Sequence, residues 1–89
     1  MELKDLRDQI DLIDNELVAL FNKRMQLSAQ VADYKIEHHL PIHVPSRERE
    51  ILQEVAEKAG PEMADYIQEL YVMIFALSRN YQEKCNEVM

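Results

Sequence analysis

The segment from Glu2 to about Glu37 contains neither proline nor glycine, and its apolar side chains recur mostly in steps of three or four residues. Such spacing places them on one face of a helix. These apolar positions are Leu3, Leu6, Ile10, Ile13, Leu17, Leu20, Leu27 and Val31. A cation, Arg24, interrupts this face between Leu20 and Leu27. The pattern predicts one long amphipathic helix with a charge that either weakens the fold or holds an anion.

The length of this helix predicts a second copy of the chain. At ~1.5 Å per residue the helix would extend roughly 50 Å, whereas a compact chain of 89 residues has a diameter near ~30 Å. The overhanging part carries leucine and isoleucine side chains, which a monomer would leave in water. The simplest way to bury them is against a second copy related by a two-fold axis. We therefore expect a homodimer.

Two breaks divide the rest of the chain. The first, residues 38–45, contains two prolines, which remove amide donors and disfavour helical geometry in the residues before them. Ser46 then stands where the N-cap of a second, short helix is expected, and that helix should end at Gly60, which Pro61 follows. A third helix should run from about residue 62 to residue 87.

The apolar positions of the third helix again follow helical spacing. They are Met63, Ile67, Leu70, Ile74, Leu77, Tyr81 and Val88. Nothing in the sequence is typical of a strand, a repeat or a linker between domains. We predict an all-α fold in which residues 1–89 form a single helical domain, a three-helix protomer with a long first helix, assembled into an intertwined homodimeric helical bundle.

Composition limits the partners and the location of the chain. Its formal net charge of −7 argues against nucleic acid or an anionic membrane as partner, because both need a basic surface. No apolar run approaches the roughly 18 residues that span a bilayer. The single cysteine, Cys85, cannot form an internal disulfide, and no basic-then-apolar leader is present. A cytoplasmic location is therefore expected.

Three polar residues, Arg24, Ser28 and Lys35, share one narrow face of the first helix. Arg24 and Lys35 would lie ~16 Å apart along its axis, so two long side chains leaning toward each other can bracket a small anionic molecule. The structural alternative for Lys35 is a lysine near a helix end that extends into solvent.

Arg24 needs a partner of opposite charge. Its neighbours Leu20, Leu27 and Val31 should be buried, and a buried cation without a partner is strongly destabilising. The partner is either a bound anion or an internal carboxylate such as Glu48.

A third cation, Arg7, lies too far along the same helix to join that site within one chain. The separation from Arg24 is ~25 Å along a straight helix, which no side chain covers. If both arginines serve one site, Arg7 comes from the other protomer, with the long helices packed antiparallel. Taken alone, Arg7 is an ordinary surface residue.

Four further polar side chains lie near core-facing positions: Arg47, Glu48, Ser78 and Gln82. Each has a structural explanation, since Glu48 complements the helix dipole in a first turn and Ser78 and Gln82 can be boundary residues. With the cations of the first helix they combine guanidiniums, an ammonium, a carboxylate, an amide and a hydroxyl. Guanidiniums bind carboxylates in a bidentate manner, so such a pocket suits a small dicarboxylate.

No sequence feature indicates a metal or a cofactor. His38, His39 and His43 lie in the proline-containing loop without the spacing or the cysteine pair of a metal site, which favours solvated loop histidines. There is no glycine-rich phosphate loop, and Cys85 lacks the electropositive setting of a reactive thiol.

Five segments carry a distinctive order of charged residues. They are Leu6-Arg7-Asp8-Gln9-Ile10-Asp11, Ile13-Asp14, Arg24-Met25-Gln26-Leu27, Val31-Ala32-Asp33-Tyr34-Lys35 and Arg47-Glu48-Arg49-Glu50. Over nearly the whole chain, they closely resemble the all-helical class of chorismate mutases. That class forms dimers intertwined through a long first helix and converts chorismate to prephenate, so the resemblance implies this fold, assembly and activity.

The resemblance also implies roles for individual residues at the two carboxylates of chorismate. Arg24, together with Arg7 from the partner chain, would hold these carboxylates. Arg47 would add to the cationic wall, and Ser78 would assist at a carboxylate.

For the reacting bond, the resemblance implies that Lys35 and Gln82 donate hydrogen bonds to the ether oxygen. Glu48 would accept a hydrogen bond from the ring hydroxyl. Val44 departs from the family pattern, because related enzymes often have an aspartate there, near that hydroxyl.

The implied reaction, a pericyclic Claisen rearrangement, needs no cofactor, metal, nucleophile or general base. Alternatives on the same scaffold are an isochorismate pyruvate lyase and an aminodeoxychorismate mutase, and Glu48 favours a hydroxyl-bearing ring over an amino-bearing one only weakly. The alternative outside enzymes is a non-catalytic dimeric helical regulatory module in which Arg24 is an internal ion-pair residue. The sequence leaves open feedback control and fusion to other enzymes.

Overall fold

The computed structural model describes residues 1–87, and side chains as far as residue 85. It contains three α-helices: α1 over Leu3–Glu37, α2 over Pro45–Ala59 and α3 over Ala64–Glu87. No strand occurs among the described residues. The predicted all-α, three-helix protomer is thereby confirmed, whereas the predicted apolar position Val88 lies outside the described residues.

The dominant element is α1, an unbroken helix of 35 residues. The chain measures 54 × 30 × 14 Å and has a radius of gyration of 16.2 Å, well above the ~12 Å of a compact chain of this length. Every residue from 1 to 23 is exposed, so the amino-terminal half of α1 extends away from the other helices. The predicted overhang is present.

The end of α1 is set by backbone geometry that the prolines alone do not explain. The helix ends at Glu37, and His39 adopts a left-handed φ of 56°. The amide of Leu40 then donates to the Lys35 carbonyl over 2.7 Å. Such a residue closes the last helical turn and reverses the chain, which brings the loop of residues 38–44 back beside the helix end.

The start of α2 differs from the prediction. Val44, extended at φ −121°, is the N-cap, and its carbonyl accepts hydrogen bonds from the amides of Arg47 and Glu48. The assignment of Ser46 as N-cap is therefore wrong. Pro45 takes the first helical position because it has no amide hydrogen to leave unpaired and its φ is already helical, and the residue before a proline is held extended.

The other helix boundaries agree with the sequence to within two residues. Gly60 ends α2 with a φ of 87°, a conformation that glycine adopts without strain. A turn over residues 61–63 follows, so α3 begins at Ala64.

The helix α3 packs against both α1 and α2. Its buried face includes Phe75, Ser78 and Gln82, with exposures of 7%, 7% and 9%, and opposite them on α1 lies Ala32 at 1%. The predicted apolar face of α3 is rotated from this one, since Leu70 and Leu77 remain 49% and 39% exposed. Two polar side chains thus occupy a buried stripe that the hydrophobic pattern alone does not reveal.

The apolar face of α1 is not covered within one chain. Leu20, Leu27 and Val31 are 62%, 51% and 48% exposed, so the prediction that they are buried is wrong for the single chain. This face is apolar over several helical turns, which is unusual for a surface exposed to water. No helix within residues 1–87 combines the length and apolar character required to cross a membrane.

Candidate active site

Arg24 lies half-buried where α1 meets α3. Its Nη1 donates to the Ser78 hydroxyl over 3.4 Å, and the guanidinium carbon lies 5.6 Å from the ring centre of Tyr71 and 5.8 Å from that of Phe75. Aromatic faces stabilise a guanidinium without neutralising it. Among residues 1–85 no carboxylate lies within ion-pairing distance of Arg24.

The internal ion pair between Arg24 and Glu48, which the sequence left open as the alternative to a bound anion, is not formed. Glu48 pairs instead with Arg79 of α3. A guanidinium carries five N–H donors, and the Ser78 hydroxyl engages one of those of Arg24. Arg24 therefore retains both its charge and most of its donors for a ligand.

The buried polar side chains of α3 are hydrogen-bonded to α1. The Gln82 Nε2 donates to the Ser28 carbonyl and to the Ser28 hydroxyl, both over 2.9 Å. The Ser78 hydroxyl lies 3.5 Å from the Met25 sulfur. No buried side-chain nitrogen or oxygen in the described part of the chain lacks a partner. Both amide hydrogens of Gln82 are thus occupied by one α1 residue.

Lys35, in the last turn of α1, donates to the Ile42 carbonyl over 3.1 Å. The side chain is half-buried, so it does not simply extend into solvent. An ammonium has three N–H donors, and a carbonyl occupies one of them. The loop that follows α1 therefore fixes the position of Lys35 and leaves donors for a ligand.

Glu48 has a cationic or imidazole neighbour at each carboxylate oxygen. Its Oε2 pairs with Nη1 of Arg79, and its Oε1 lies 3.5 Å from Nε2 of His43 in the loop. The carboxylate is 27% exposed and Arg79 is 36% exposed. Arg79 is not among the sequence-predicted site residues. The available signal was its i, i+4 spacing from Phe75 on the buried side of α3.

Two predicted site residues lie apart from these contacts. Arg47 is 60% exposed and pairs along α2 with Glu50 at 3.1 Å and Glu54 at 4.0 Å. Arg7 is exposed on the overhanging part of α1. Within one chain, Arg24 thus contacts Ser78 and Gln82 contacts Ser28. Glu48 contacts Arg79, the residue after Ser78.

A separate open cleft of about 670 Å³ lies between α1 and α3. Its lining comprises Phe21, Met25, Leu77, Asn80, Tyr81, Glu83 and Lys84. The interaction with the Cys85 side chain raises the pKa of the Tyr81 phenol, which lines this cleft, above its ordinary value. The cleft contains none of the predicted site residues.

The histidines of the loop do not form a metal centre. Within the described residues no group of three or more histidine, cysteine or acidic side chains is arranged to hold a metal ion. His43 contacts Glu48, and the His38 ring packs edge-on against Tyr34 with 4.0 Å between centres. The candidate site presents charged side chains and hydrogen-bond donors.

Three curated relatives can be compared with the chain. It is 48% identical over 54 residues to a bifunctional chorismate mutase/prephenate dehydratase of Aquifex aeolicus (strain VF5), which covers 61% of this chain and 15% of that protein. A T-protein of Haemophilus influenzae is 49% identical over 71 residues, which cover 76% of this chain and 19% of that protein. A chorismate mutase of Methanocaldococcus jannaschii is 35% identical over 54 residues, which cover 61% of this chain and 54% of that protein.

The chain therefore spans less than a fifth of the length of the first two relatives and about half of the third. The sequence model of the type II chorismate mutases matches residues 6–83, which include every predicted site residue. The resemblance stated from the charged segments is thereby confirmed: the chain belongs to the chorismate mutase type II family.

Proposed function

We propose that this chain converts chorismate to prephenate by a Claisen rearrangement, a step in aromatic amino acid biosynthesis. The observation that carries the proposal is Arg24, a half-buried guanidinium set against two aromatic rings with no carboxylate within ion-pairing distance in the described part of the chain. A cation in such a position favours an anionic ligand. Chorismate brings two carboxylates.

Conformational selection is the first contribution of the site. The rearrangement requires the diaxial conformer of chorismate, in which the two ends of the new carbon–carbon bond approach each other. Arg24 and Ser78 hold one end of the substrate by its carboxylate, with Arg7 of the partner subunit completing the clamp. Fixing reacting groups in place removes entropy that the free substrate must lose at the transition state.

Electrostatic stabilisation is the second contribution. As the ether carbon–oxygen bond breaks, partial negative charge grows on that oxygen. Lys35, held by the Ile42 carbonyl, and Gln82, held by Ser28, are the proposed donors to it. A donor that is already oriented stabilises this charge without reorganisation, which applies to Lys35, whereas Gln82 must first release the Ser28 hydroxyl. Glu48 accepts a hydrogen bond from the ring hydroxyl.

Homodimerisation belongs to the proposal because one chain cannot complete the clamp. Arg7 lies ~25 Å from Arg24 along α1, and α1 is straight enough to give the chain its 54 Å length. Antiparallel packing of two α1 helices brings Arg7 of the partner subunit to Arg24 and buries the exposed apolar face. A cytoplasmic location completes the proposal, consistent with one unpaired cysteine.

A direct assay tests the activity. The purified chain is incubated with chorismate, and the product is identified by NMR; we expect prephenate and no release of pyruvate. Pyruvate formed from isochorismate, or rearrangement of the amino analogue alone, would assign the scaffold to another reaction. A chain with no turnover of any of the three substrates would contradict an enzymatic role.

If the exposed apolar face of α1 forms the dimer interface, a single charged residue placed on it should dissociate the dimer. We expect the parent chain to sediment at twice its 10.5 kDa and Leu17→Glu to sediment as a monomer without activity, because a buried leucine contributes about 1.5–3 kcal/mol per site and a buried unpaired charge costs more. Analytical ultracentrifugation measures the mass.

The matched control for this experiment is Asn15→Glu, which adds the same charge on the opposite face of α1. It should remain dimeric and active. A monomeric parent chain with full activity would contradict the dimer.

The hydrogen bonds of Gln82 lead to a second prediction. Because Ser28 occupies both amide hydrogens of Gln82, substrate must displace the Ser28 hydroxyl. We expect Ser28→Ala to raise kcat by up to about fivefold, since the competing hydrogen bond is worth about 1 kcal/mol, whereas Gln82→Ala should lower kcat at least about tenfold. Steady-state kinetics with chorismate measures both.

Ser46→Ala, at an exposed serine, is the control. A loss in Ser28→Ala as large as in Gln82→Ala would mean that Ser28 holds Gln82 in its working position.

A further inference from the structure

The ion pair between Arg79 and Glu48 differs from the others in the chain. The remaining arginine and lysine pairs described join residues of a single helix: Lys4 with Asp8, and Arg47 with Glu50 and Glu54. Arg79 and Glu48 instead connect α3 to α2 and are both only partly exposed. Screening by water is weaker at such a position than at the surface, so the charges affect each other and any ligand nearby.

The contacts of Glu48 leave its carboxylate only part of its capacity to accept hydrogen bonds. Arg79 binds its Oε2 and His43 approaches its Oε1, while an ionised carboxylate offers about four acceptor sites. Sites therefore remain for a ligand hydroxyl. The negative charge, however, is already balanced by the guanidinium, and a ligand cation at Glu48 would also face Arg79.

We propose that Arg79 is a positioning residue that sets substrate specificity: by orienting Glu48 and balancing its charge, it makes the carboxylate an acceptor for a neutral ring hydroxyl and disfavours a protonated ring amine. This proposal rests on the proposed function, in which Glu48 meets the substituent of the substrate ring. It separates two substrates, chorismate and 4-amino-4-deoxychorismate, that the type of residue at position 48 distinguishes only weakly.

Electrostatics supports the direction of the effect. A neutral hydroxyl gains from a carboxylate whose position is fixed, and it does not interact strongly with the net charge of the pair. An allylic amine is largely protonated at neutral pH and is attracted by a lone carboxylate but repelled by the adjacent guanidinium. Loss of the Arg79 guanidinium should therefore weaken use of the hydroxyl substrate, because Glu48 is no longer held in position. It should improve use of the amine, because the repulsion between the two cations is removed.

The test compares kcat/KM for chorismate and for 4-amino-4-deoxychorismate in the parent chain, Arg79→Gln and Arg79→Lys. Glutamine keeps a hydrogen-bond donor but removes the charge, and lysine keeps the charge. We expect the chorismate-to-amine ratio to fall at least about tenfold in Arg79→Gln and to stay within about threefold of the parent in Arg79→Lys. Arg49→Gln, at an exposed arginine of α2, is the matched control and should leave the ratio unchanged.

The possible outcomes distinguish failure of the Arg79 proposal from failure of the proposed enzymatic function. If Arg79→Gln lowers both activities equally, Arg79 only holds α2 against α3 and the inference is overturned. If the parent chain turns over neither substrate, the proposed function fails and the inference with it. If Arg79→Gln does not fold, as judged by circular dichroism, Arg79→Met supplies the uncharged variant and the same ratio decides.

Discussion

Replacement of Lys35 by alanine is expected to lower kcat for chorismate at least about 100-fold while the protein stays folded. Loss of one preorganised donor to a developing oxyanion typically costs about 2.7–4 kcal/mol of transition-state stabilisation. The structural loss is smaller. Lys35 makes one hydrogen bond, to the Ile42 carbonyl, worth about 1 kcal/mol, which corresponds to a fall in Tm of about 4–8 °C in a domain of this size.

Steady-state kinetics at saturating chorismate measures the loss of kcat. Thermal unfolding followed by circular dichroism measures the fall in Tm. Lys58→Ala is the matched control, because Lys58 also lies in the last turn of a helix and is exposed. It should change neither kcat nor Tm appreciably. A kcat for Lys35→Ala within about fivefold of the parent would remove Lys35 from the reaction.

The second large effect is expected from arginines that act across the dimer. Arg7→Ala and Arg24→Ala should each lower kcat/KM at least about 30-fold, because truncation of one partner in a buried charge pair costs about 2–5 kcal/mol. The two inactive proteins, unfolded together in equal amounts and refolded, should regain about a quarter of the parent activity. About half of the refolded dimers contain one chain of each kind, and each of these holds one intact site of two.

The converse experiment controls for simple refolding. A chain with both substitutions is mixed with the parent chain in the same way. If Arg7 acts in trans, both sites of every mixed dimer are defective, and total activity should fall by about half. If Arg7 acts within its own chain, activity should remain unchanged, and the mixture of single variants should recover none.

The long helix and its cationic face were predictable because they depend on local properties of the sequence. The absence of proline and glycine up to Glu37 and the regular apolar spacing fix α1 without tertiary information. The positions of Arg24 and Lys35 on one face follow from helical geometry alone. Family-specific spacing of charges then added residue roles that no hydrophobic pattern contains.

The parts that were missed depend on contacts between elements. Ser78 and Gln82 were predicted to lie near core-facing positions, but hydropathy did not show that they occupy the centre of the buried stripe of α3. It assigned that stripe to the leucines beside them, which the single chain leaves exposed. Arg79 gained significance only when α2 placed Glu48 against it. The N-cap prediction at Ser46 was wrong because proline at the first helical position competes with a serine cap, and the two alternatives differ by two residues of register.

The unbroken α1 also limits how this sequence can change in length. Each inserted residue in a helix turns everything beyond it by about 100° and shifts it by about 1.5 Å. With Arg7 and Arg24 on one rod and serving different sites of the proposed dimer, a single insertion between them would move one arginine off its site while every side chain of the pocket stayed intact. The number of residues between Arg7 and Arg24 therefore fixes their spacing. This segment should tolerate substitutions on its polar side but no insertion or deletion.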